Sequence, residues 1–335
     1  MAIVDQSGKV IIQLTASQDL QHSPFGGVVP EIASRNHSLA LLPLIDQALE
    51  KSQLTWKDMD GFAVTNRPGL IGSLIVGLMT VKALAQSMGK PFIGVNHLEG
   101  HLLAPFLKDD SYTPPEEFNY PYVALAVSGG HSSVYWVNDF SDYTIIGSTK
   151  DDAAGEAFDK FAKMIGLGFP GGVKVDELAR KGDRTKYDFP RSLINDDTLM
   201  MSFSGLKSAA HRLISKMTEK EIQSEKEHLC ASFQEAIVDV LIAKILFAAK
   251  KFKTKKIVIT GGVSANSRLR ERAEQLRQKG YVLVIPPLRF CTDNAAMIGY
   301  VGIKKLNGYQ SSQMNLGPSS SSYTEDFKIE LLTDV

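Results

Sequence analysis

The chain lacks, or has little of, several sequence features that identify a protein's class directly. Its 335 residues include only two cysteines, Cys230 and Cys291, far apart in sequence. This predicts a reducing compartment and no disulfide framework. Basic and acidic residues balance at 37 each, so no overall field attracts nucleic acid. The amino terminus carries neither a signal peptide nor an arginine-rich transit sequence. We therefore expect a cytoplasmic protein.

Three familiar site motifs are also missing: the GKS/T phosphate loop, the GxGxxG dinucleotide turn and the HExxH zinc-protease pair. The most apolar segment, Leu70–Met88, is interrupted by glycines and by Lys82. This favours a buried core helix over a membrane span, and we expect no membrane association. The length suggests two domains, each large enough to bury a core.

Strand and helix patterns alternate in the first part of the chain. The predicted elements are a hairpin at 2–4 and 10–14, a helix at 34–51, a strand at 61–65, the apolar helix at 70–88, a strand at 91–95 and a short helix that carries two histidines. The apolar stripe of the helix at 34–51 consists of Leu39, Leu42, Ile45 and Leu49. This order indicates an α/β domain with a sheet covered by helices.

The second part repeats the plan after a linker at 111–119. Its predicted elements are strands at 122–127, 133–137, 256–260 and 281–285, and helices at 151–165, 173–181, 205–216, 221–252, 267–279 and 294–306. A buried strand followed by Ser/Thr-Gly-Gly occurs at 123–130 and again at 256–262. This approximate repeat predicts a duplicated α/β fold with a cleft between the halves. The expected domains are 1–118, 119–318 with a helical insertion around 151–253, and a loosely packed surface tail at 319–335.

The most informative stretch is Asn96-His97-Leu98-Glu99-Gly100-His101. On a helix, His97 and His101 lie one turn apart on the same face, close enough to share a metal ion. Glu99 points away from that face, whereas a zinc protease places its glutamate directly after the first histidine. The order HxExH therefore favours metal binding without protease chemistry. Such a pair alone is as often two ordinary surface or capping histidines, so a third ligand is required.

Asp293 is the candidate third ligand, because it follows the strand at 281–285 and stands at the start of a helix. Two imidazoles and one carboxylate suit Fe(II) or Zn(II), with positions left open for substrate. Aspartate also fills the N-cap position of helices readily, and sequence position does not choose between these roles. Cys230 is expected in the core, and Cys291 need not be a ligand.

Two diglycine turns follow buried strands, at Ser128-Gly129-Gly130 and Thr260-Gly261-Gly262. Without Cβ atoms, such turns let a phosphate approach backbone N–H groups. One such turn is usually only a tight turn, but two in matching contexts favour a phosphate site. A third glycine cluster, at 166–172, lies between Asp159 and Asp176. It suits a ribose or purine, although by itself it is more typical of a plain helix–helix connection.

Basic residues concentrate between Lys244 and Lys279, where eleven lysines and arginines stand against two glutamates, a local net charge of +9. A solvated helix face is the usual explanation for such a run. A nucleic-acid footprint is the alternative.

Together these motifs resemble those of the TsaD type of tRNA threonylcarbamoyladenosine synthase. The resemblance extends from residue 2 to about residue 318 and rests on seven motifs in order: GGVVPE at 26–31, NHLEGH at 96–101, VSGGH at 127–131, DDAAGEAFDK at 151–160, FSGLK at 203–207, GGVSAN at 261–266 and CTDN at 291–294. Seven ordered motifs are too many for a chance match.

The resemblance implies a duplicated actin/hexokinase-like (ASKHA) α/β fold, two lobes with a central nucleotide cleft. It implies transfer of a threonylcarbamoyl group from threonylcarbamoyl-adenylate to the exocyclic amine of the adenosine on the 3′ side of the anticodon, in tRNAs reading ANN codons. The metal ligands would be His97, His101 and Asp293, holding one divalent ion per subunit, Fe(II) in preference to Zn(II). The residues along the substrate would be Ala126, Val127, Ser128, Gly129, Gly130, Asp159, Gly172, Asp176 and Asn266.

The implied partners are tRNA, a TsaB-like paralogous subunit and a TsaE-like ATPase, with the adenylate supplied by a separate synthase. The residues agree with this chemistry. A metal ion would orient the carbamate and phosphate and act as a Lewis acid at the attacked carbonyl. No Ser/His/Asp triad is needed, since adenylation has already activated that carbonyl, and we assign no catalytic side chain.

The sequence departs from the family pattern in two places. The family's first strand and acidic loop, of the form ETSCD-E/D-T, would precede Ala2 and are absent here. We expect either that the sequence starts at an internal methionine or that the protein is impaired. In Asn66-Arg67-Pro68-Gly69, Arg67 stands where the family usually has glycine, and an arginine there either clashes with a phosphate or clamps it.

Two other interpretations compete with the transferase. A metallopeptidase would need the adjacent glutamate base that HxExH lacks. The other is a non-catalytic assembly subunit, whose shortened cleft no longer catalyses transfer and which only binds partners. Joint loss of metal and transfer in a His97→Ala or Asp293→Ala variant would support the transferase.

Overall fold

A computed structural model describes residues 1–25, 27–321 and 327–331. Gly26 of the GGVVPE motif and part of the predicted tail lie outside the described residues. The described strands are β1 (Ala2–Val4), β2 (Val10–Gln13), β3 (Phe62–Arg67), β4 (Phe92–Asn96), β5 (Tyr122–Val127), β6 (Ser132–Asp139), β7 (Asp142–Ser148), β8 (Lys256–Thr260), β9 (Val282–Val284) and β10 (Phe327–Ile329).

The α-helices are α1 (Asp19–His22), α2 (Pro30–Ser52), α3 (Ile71–Met88), α4 (His97–Leu103), α5 (Ala154–Met164), α6 (Gly171–Ala179), α7 (Ser204–Ile214), α8 (Glu219–Lys251), α9 (Ser267–Gln278), α10 (Leu288–Cys291) and α11 (Ala295–Asn307). Short 3₁₀ turns lie at Ser23–Phe25, Trp56–Asp58, Ala104–Phe106 and Gly262–Ala265. The predicted helices and strands therefore form close to their expected bounds, and the strands β7 and β10 and the short helices α1 and α10 are additional.

The chain forms two compact units, which we call unit 1 (Met1–Pro114 with Pro286–Thr324) and unit 2 (Pro115–Ile285 with Glu325–Val335). The prediction kept residues 286–318 in the second domain, whereas the structure packs them within unit 1. The reason is α11, which lies against β1, β3, β4 and α4. The predicted tail also differs, since β10 pairs with β7 in a parallel arrangement.

Unit 1 contains two separate two-stranded sheets. β1 pairs antiparallel with β2, and β3 pairs parallel with β4. A small apolar core of Leu78, Ala85 and Phe92 lies where α3 packs on the β3–β4 pair. β4 runs directly into α4, which places the two histidines of the HxExH stretch at the carboxyl end of a buried strand.

The helices α2 and α3 are less buried than the sequence predicted. Only Leu78 and Ala85 of α3 are buried, so the prediction that α3 is a buried core helix is wrong. Among the described helices, α3 alone is long and apolar enough to cross a membrane, a test that helices of soluble cores also pass. In α2, Ile45 is buried as predicted, but Leu39 and Leu42 of the proposed stripe are exposed.

Unit 2 is built on one six-stranded sheet with the order β10-β7-β6-β5-β8-β9. β5 is buried along its whole length between β6, which is antiparallel to it, and β8, which is parallel. The long helix α8 begins at a capping box formed by Thr218 and Glu221 and contributes a large share of the core. Because Ala126 pairs with Thr260, the two Ser/Thr-Gly-Gly turns leave the sheet at the same edge.

Candidate active site

The two histidines project from the short helix α4. Asn96 caps this helix, its side-chain oxygen accepting a hydrogen bond from the backbone N–H of Leu98 at 3.0 Å. His97 and His101 then lie one turn apart, with their ring centroids 4.7 Å from each other. His101 is buried, whereas His97 is partly exposed. The predicted helical geometry of the HxExH stretch is confirmed.

The carboxylate of Asp293 meets both imidazoles. Its Oδ1 lies 3.2 Å from His97 Nε2 and 3.1 Å from His101 Nε2. The two Nε2 atoms are 3.1 Å apart. Three atoms so arranged can all lie about 2.0–2.2 Å from one ion, which is the bond length of zinc to imidazole and carboxylate. The three residues predicted as ligands thus converge, and their donor set fits a divalent transition metal.

Asp293 is not the N-cap of the helix that follows it. The side chain of Asn294 takes that role, accepting a hydrogen bond from the backbone N–H of Met297 at 2.9 Å. Asn294 also donates to the carbonyl oxygens of Phe290 and Thr292. The alternative role for Asp293 is therefore filled by its neighbour, which leaves the carboxylate to the histidines.

The protonation states of the site suit metal binding. Burial lowers the pKa of His101 below its usual value, which keeps the imidazole neutral at pH 7. Desolvation raises the pKa of Asp293, but its hydrogen bonds with His101 and His97 lower it by more, so that the carboxylate is ionised. A neutral imidazole and a charged carboxylate are the forms that bind metal ions.

Glu99 lies on the opposite side of α4 from the histidines. It is completely buried, and its Oε2 is 2.7 Å from the Nζ of Lys305 in α11. A carboxylate held there does not face the ligand atoms. The prediction that Glu99 points away from the metal face is confirmed. A cavity of about 900 Å³ in unit 1 reaches His97 and Asp293 and is otherwise lined mostly by apolar side chains.

The diglycine turns of unit 2 combine crowded and open positions. Gly261 has a φ of +88°, and a Cβ there would lie 2.3 Å from the carbonyl oxygen of Val127, so the turn after β8 packs tightly on β5. At Gly129, Gly130 and Gly262, by contrast, an added Cβ would meet nothing within 4 Å. Their backbone atoms therefore border open space, as a phosphate-binding turn requires.

The other predicted substrate residues also lie in unit 2, where several of their side chains form hydrogen bonds with the backbone. Asp159 accepts hydrogen bonds from the N–H groups of Gly171 and Gly172 at 2.7 and 3.3 Å. Asp176 accepts from the N–H and hydroxyl of Ser267. Asn266 caps α9 and donates to Gln234. Ala126 and Val127 are buried in β5. These contacts bring the set together; its substrate role stays a prediction.

Comparison with known proteins identifies the family. The family described as "TsaD: tRNA N6-adenosine threonylcarbamoyltransferase" matches residues 9–300 of the chain. The chain belongs to the TsaD family. A tRNA N6-adenosine threonylcarbamoyltransferase of Bdellovibrio bacteriovorus is 61% identical over 329 residues, which cover 98% of this chain and 95% of the relative. One of Syntrophus aciditrophicus is 47% identical over 321 residues, covering 95% and 93%.

Solved structures support the fold of this TsaD family member. HypF of T. kodakarensis superposes with a TM-score of 0.58 at 13% identity, over 80% of this chain and 43% of HypF. A full-length HypF in a phosphate- and nucleotide-bound form gives a TM-score of 0.58 at 15% identity, over 81% and 50%. Identities this low show the fold alone. With the family match, they confirm the predicted duplicated actin/hexokinase-like α/β fold.

The basic stretch of this TsaD family member is partly neutralised within unit 2. Ion pairs join Lys244 to Asp196, Arg268 and Arg272 to Glu235, and Arg277 to Glu274. The lysines around residues 250–256 stand at the amino end of β8, whereas the Gly261-Gly262 turn leaves its carboxyl end. Because several of these cations are already paired inside the unit, the contacts count against a nucleic-acid footprint made by the whole stretch.

Sequence reasoning missed the ion pairs that join distant parts of unit 1. Glu99 pairs with Lys305, and Asp109 accepts two hydrogen bonds from Arg289, at 2.6 and 2.8 Å. Neither pairing has a local sequence signal, because the partners are about two hundred residues apart. Arg67 is half-buried at the end of β3, and nothing in its surroundings explains the departure from the family's glycine.

Proposed function

We propose that this chain is a cytoplasmic transferase that moves the threonylcarbamoyl group from threonylcarbamoyl-adenylate to the adenosine on the 3′ side of the anticodon in tRNAs reading ANN codons. The observation that carries the proposal is the 61% identity to a tRNA N6-adenosine threonylcarbamoyltransferase over nearly the whole of both chains. The convergence of His97, His101 and Asp293 supports it independently.

One divalent ion, Fe(II) in preference to Zn(II), would be held by His97, His101 and Asp293. When bound, such an ion supplies Lewis-acid polarisation of a carbonyl or phosphoryl oxygen. The chain's own contribution is to keep His101 neutral by burial and Asp293 ionised by its two imidazole neighbours. Two nitrogen ligands and one oxygen ligand leave coordination positions open for substrate.

In unit 2, the backbone at Gly129, Gly130 and Gly262 offers N–H groups to the phosphate of the adenylate, because no side chain blocks them. Asp159 and Asp176 shape the adjoining backbone through the hydrogen bonds described above. The adenylate phosphate is the leaving group, so the residues must bind and orient an activated substrate; they need not activate it. The proposed transfer therefore needs no nucleophilic triad.

The metallopeptidase interpretation has no support in this geometry. Its general base would have to stand beside the ligand atoms, but Glu99 is buried on the far side of α4 and paired with Lys305.

The test is transfer by purified protein supplied with tRNA, threonylcarbamoyl-adenylate, Fe(II) or Zn(II), and the partner proteins. We expect His101→Ala to lose bound metal and transfer together. His211→Ala, which alters an exposed histidine of α7 in unit 2, is the matched control and should retain both. Full transfer by a metal-free preparation would refute the metal's role, and no transfer under any condition would favour the non-catalytic subunit.

We also propose that a TsaB-like subunit covers the apolar face formed by α2 and α3, while a TsaE-like ATPase joins the assembly elsewhere. Leu39 and Leu42 of α2 are 68% and 58% exposed, and Ile75 and Met79 of α3 are 43% and 56% exposed. The two helices pack side by side, so their exposed apolar residues are typical of an interaction site.

Leu39→Asp combined with Met79→Asp should abolish co-purification of a TsaB-like subunit, since each change buries an unpaired charge in the contact. Tyr309→Asp, at a residue that is 99% exposed in unit 1, is the control and should leave association unchanged. Undiminished association in the double variant would exclude this face.

A further inference from the structure

The two helices next to the metal ligands are joined by a buried ion pair. Glu99 of α4 is completely buried and Lys305 of α11 nearly so, with Oε2 and Nζ 2.7 Å apart. Glu99 lies between His97 and His101 in sequence, and α11 begins two residues after Asp293. The pair therefore connects the helix that carries both histidines to the helix that follows the carboxylate.

The same two helices are in close contact at Gly100. A Cβ at this position would lie 2.9 Å from Cγ of Met297 and 3.0 Å from Cδ1 of Ile298, both in α11. Packing at Gly100 fixes how closely the helices approach. The ion pair adds a second point of attachment between the two helices, so the two contacts together restrict how α4 turns or slides along α11.

The start of α11 is itself rigid, because Asn294 caps it and also donates to the carbonyl oxygens of Phe290 and Thr292. A movement of α11 relative to α4 would therefore carry Asp293 with it. The ligand atoms are only 3.1–3.2 Å apart. Displacements of a few tenths of an ångström matter to metal sites, where distances vary by about 0.2 Å at most.

We propose that the Glu99–Lys305 ion pair is a positioning element that holds Asp293 in register with His97 and His101, and so sets the affinity of the metal site. Neither residue touches the ligand atoms. The inference rests on the proposed metal site. A buried ion pair can often be replaced by uncharged residues with little net loss of stability, so a positioning role can be separated experimentally from a purely stabilising one.

The test measures Zn(II) and Co(II) affinity by competition with a chromophoric chelator, in the full chain, alongside the thermal midpoint. We expect Glu99→Gln and Lys305→Met each to weaken binding by about 10- to 100-fold, as losses of groups supporting metal ligands do. The double variant E99Q/K305M removes both charges, so its thermal midpoint should recover towards that of the unaltered chain while its metal affinity stays at least about tenfold lower.

Lys244→Met is the matched control, because Lys244 of unit 2 is also a buried lysine in an ion pair, with Asp196. It should lower the thermal midpoint and leave metal affinity unchanged. Metal binding by Glu99→Gln or by the double variant within twofold of the unaltered chain would overturn the inference, as would an equal loss of affinity in Lys244→Met. If the unaltered chain binds no metal, the proposed site itself fails, and the inference with it.

Discussion

At the scale of single residues, two neighbours at the start of α11 have separate roles. Asn294 caps the helix, and Asp293 faces the histidines. We expect Asn294→Ala to lower the free energy of unfolding by about 1 kcal/mol, the usual contribution of an N-cap, and to weaken metal binding without abolishing it, because all three ligands remain. Asp293→Ala should abolish metal binding, because it removes a ligand, while α11 keeps its Asn294 cap. Chemical denaturation and metal titration of both variants test this; identical profiles would contradict the division of roles.

A second residue-scale prediction concerns acid stability. The hydrogen bonds from Arg289 hold the pKa of Asp109 at about 2, below its ordinary value of 3.8. The pair is therefore fully stabilising above about pH 4, and this contribution is lost as the pH falls towards 2. After allowance for its partial exposure, Asp109→Asn should cost about 1 kcal/mol at pH 7.

The measurement is urea denaturation of the variant and the unaltered chain between pH 2 and pH 7. The difference between them should shrink as the pH falls from about 4 to 2. Asp110→Asn is the control, because the Asp110 side chain is 91% exposed and its pair with Lys9 lies in solvent. A difference that stays constant down to pH 2 would show that Arg289 does not lower the pKa.

How much of the metal site could be predicted depended on how far apart its residues lie along the sequence. His97, Glu99 and His101 lie within one turn and a half of helix, so helical periodicity alone placed two of them together and the third opposite. Asp293 was recognisable through its residue type, its place after a strand and the family resemblance, because no helical periodicity links it to the histidines. Lys305 could not be recognised, because a lysine near the end of a helix is usually exposed. Nothing in the local sequence indicates that it is buried against a distant glutamate.

At the scale of elements, the turn after β8 offers a comparison between adjacent glycines. Gly261→Ala would place a Cβ 2.3 Å from the carbonyl oxygen of Val127, at a φ of +88°. It should destabilise the protein by about 2 kcal/mol or more. Gly262→Ala meets nothing within 4 Å, so it should fold normally but weaken binding of the adenylate by obstructing the approach of its phosphate.

Thermal melting and a binding assay with a non-hydrolysable adenylate analogue separate the two effects. Unchanged analogue affinity in a folded Gly262→Ala chain would exclude this turn as the phosphate site. If Gly261→Ala melts like the unaltered chain, the backbone geometry described for the turn is wrong.

Element types were predictable from periodicity, but the partner of each element was not. The apolar composition of α3 indicated burial, yet composition cannot say whether the chain itself or another protein covers an apolar face. The strand β7 was missed, although six of its seven residues form register pairs with β6. α11 was assigned to the second domain because it follows that domain in sequence, whereas its packing places it in unit 1.

At the scale of the whole molecule, the two units pair their strands differently. In unit 2, β5 lies between the antiparallel β6 and the parallel β8. In unit 1, the antiparallel pair β1–β2 and the parallel pair β3–β4 are separate sheets. The cavity of about 900 Å³ is lined by residues of both β1 and β3, including Ile3 and Val64.

We therefore expect a short designed strand with alternating apolar residues, joined to Met1, to fill this cavity between β1 and β3. Burial of its inward side chains should raise the thermal midpoint of the chain. The control is the same extension with its alternating apolar residues changed to serine, which cannot bury that face. Equal melting of the two extended chains would show that the cavity accepts no strand.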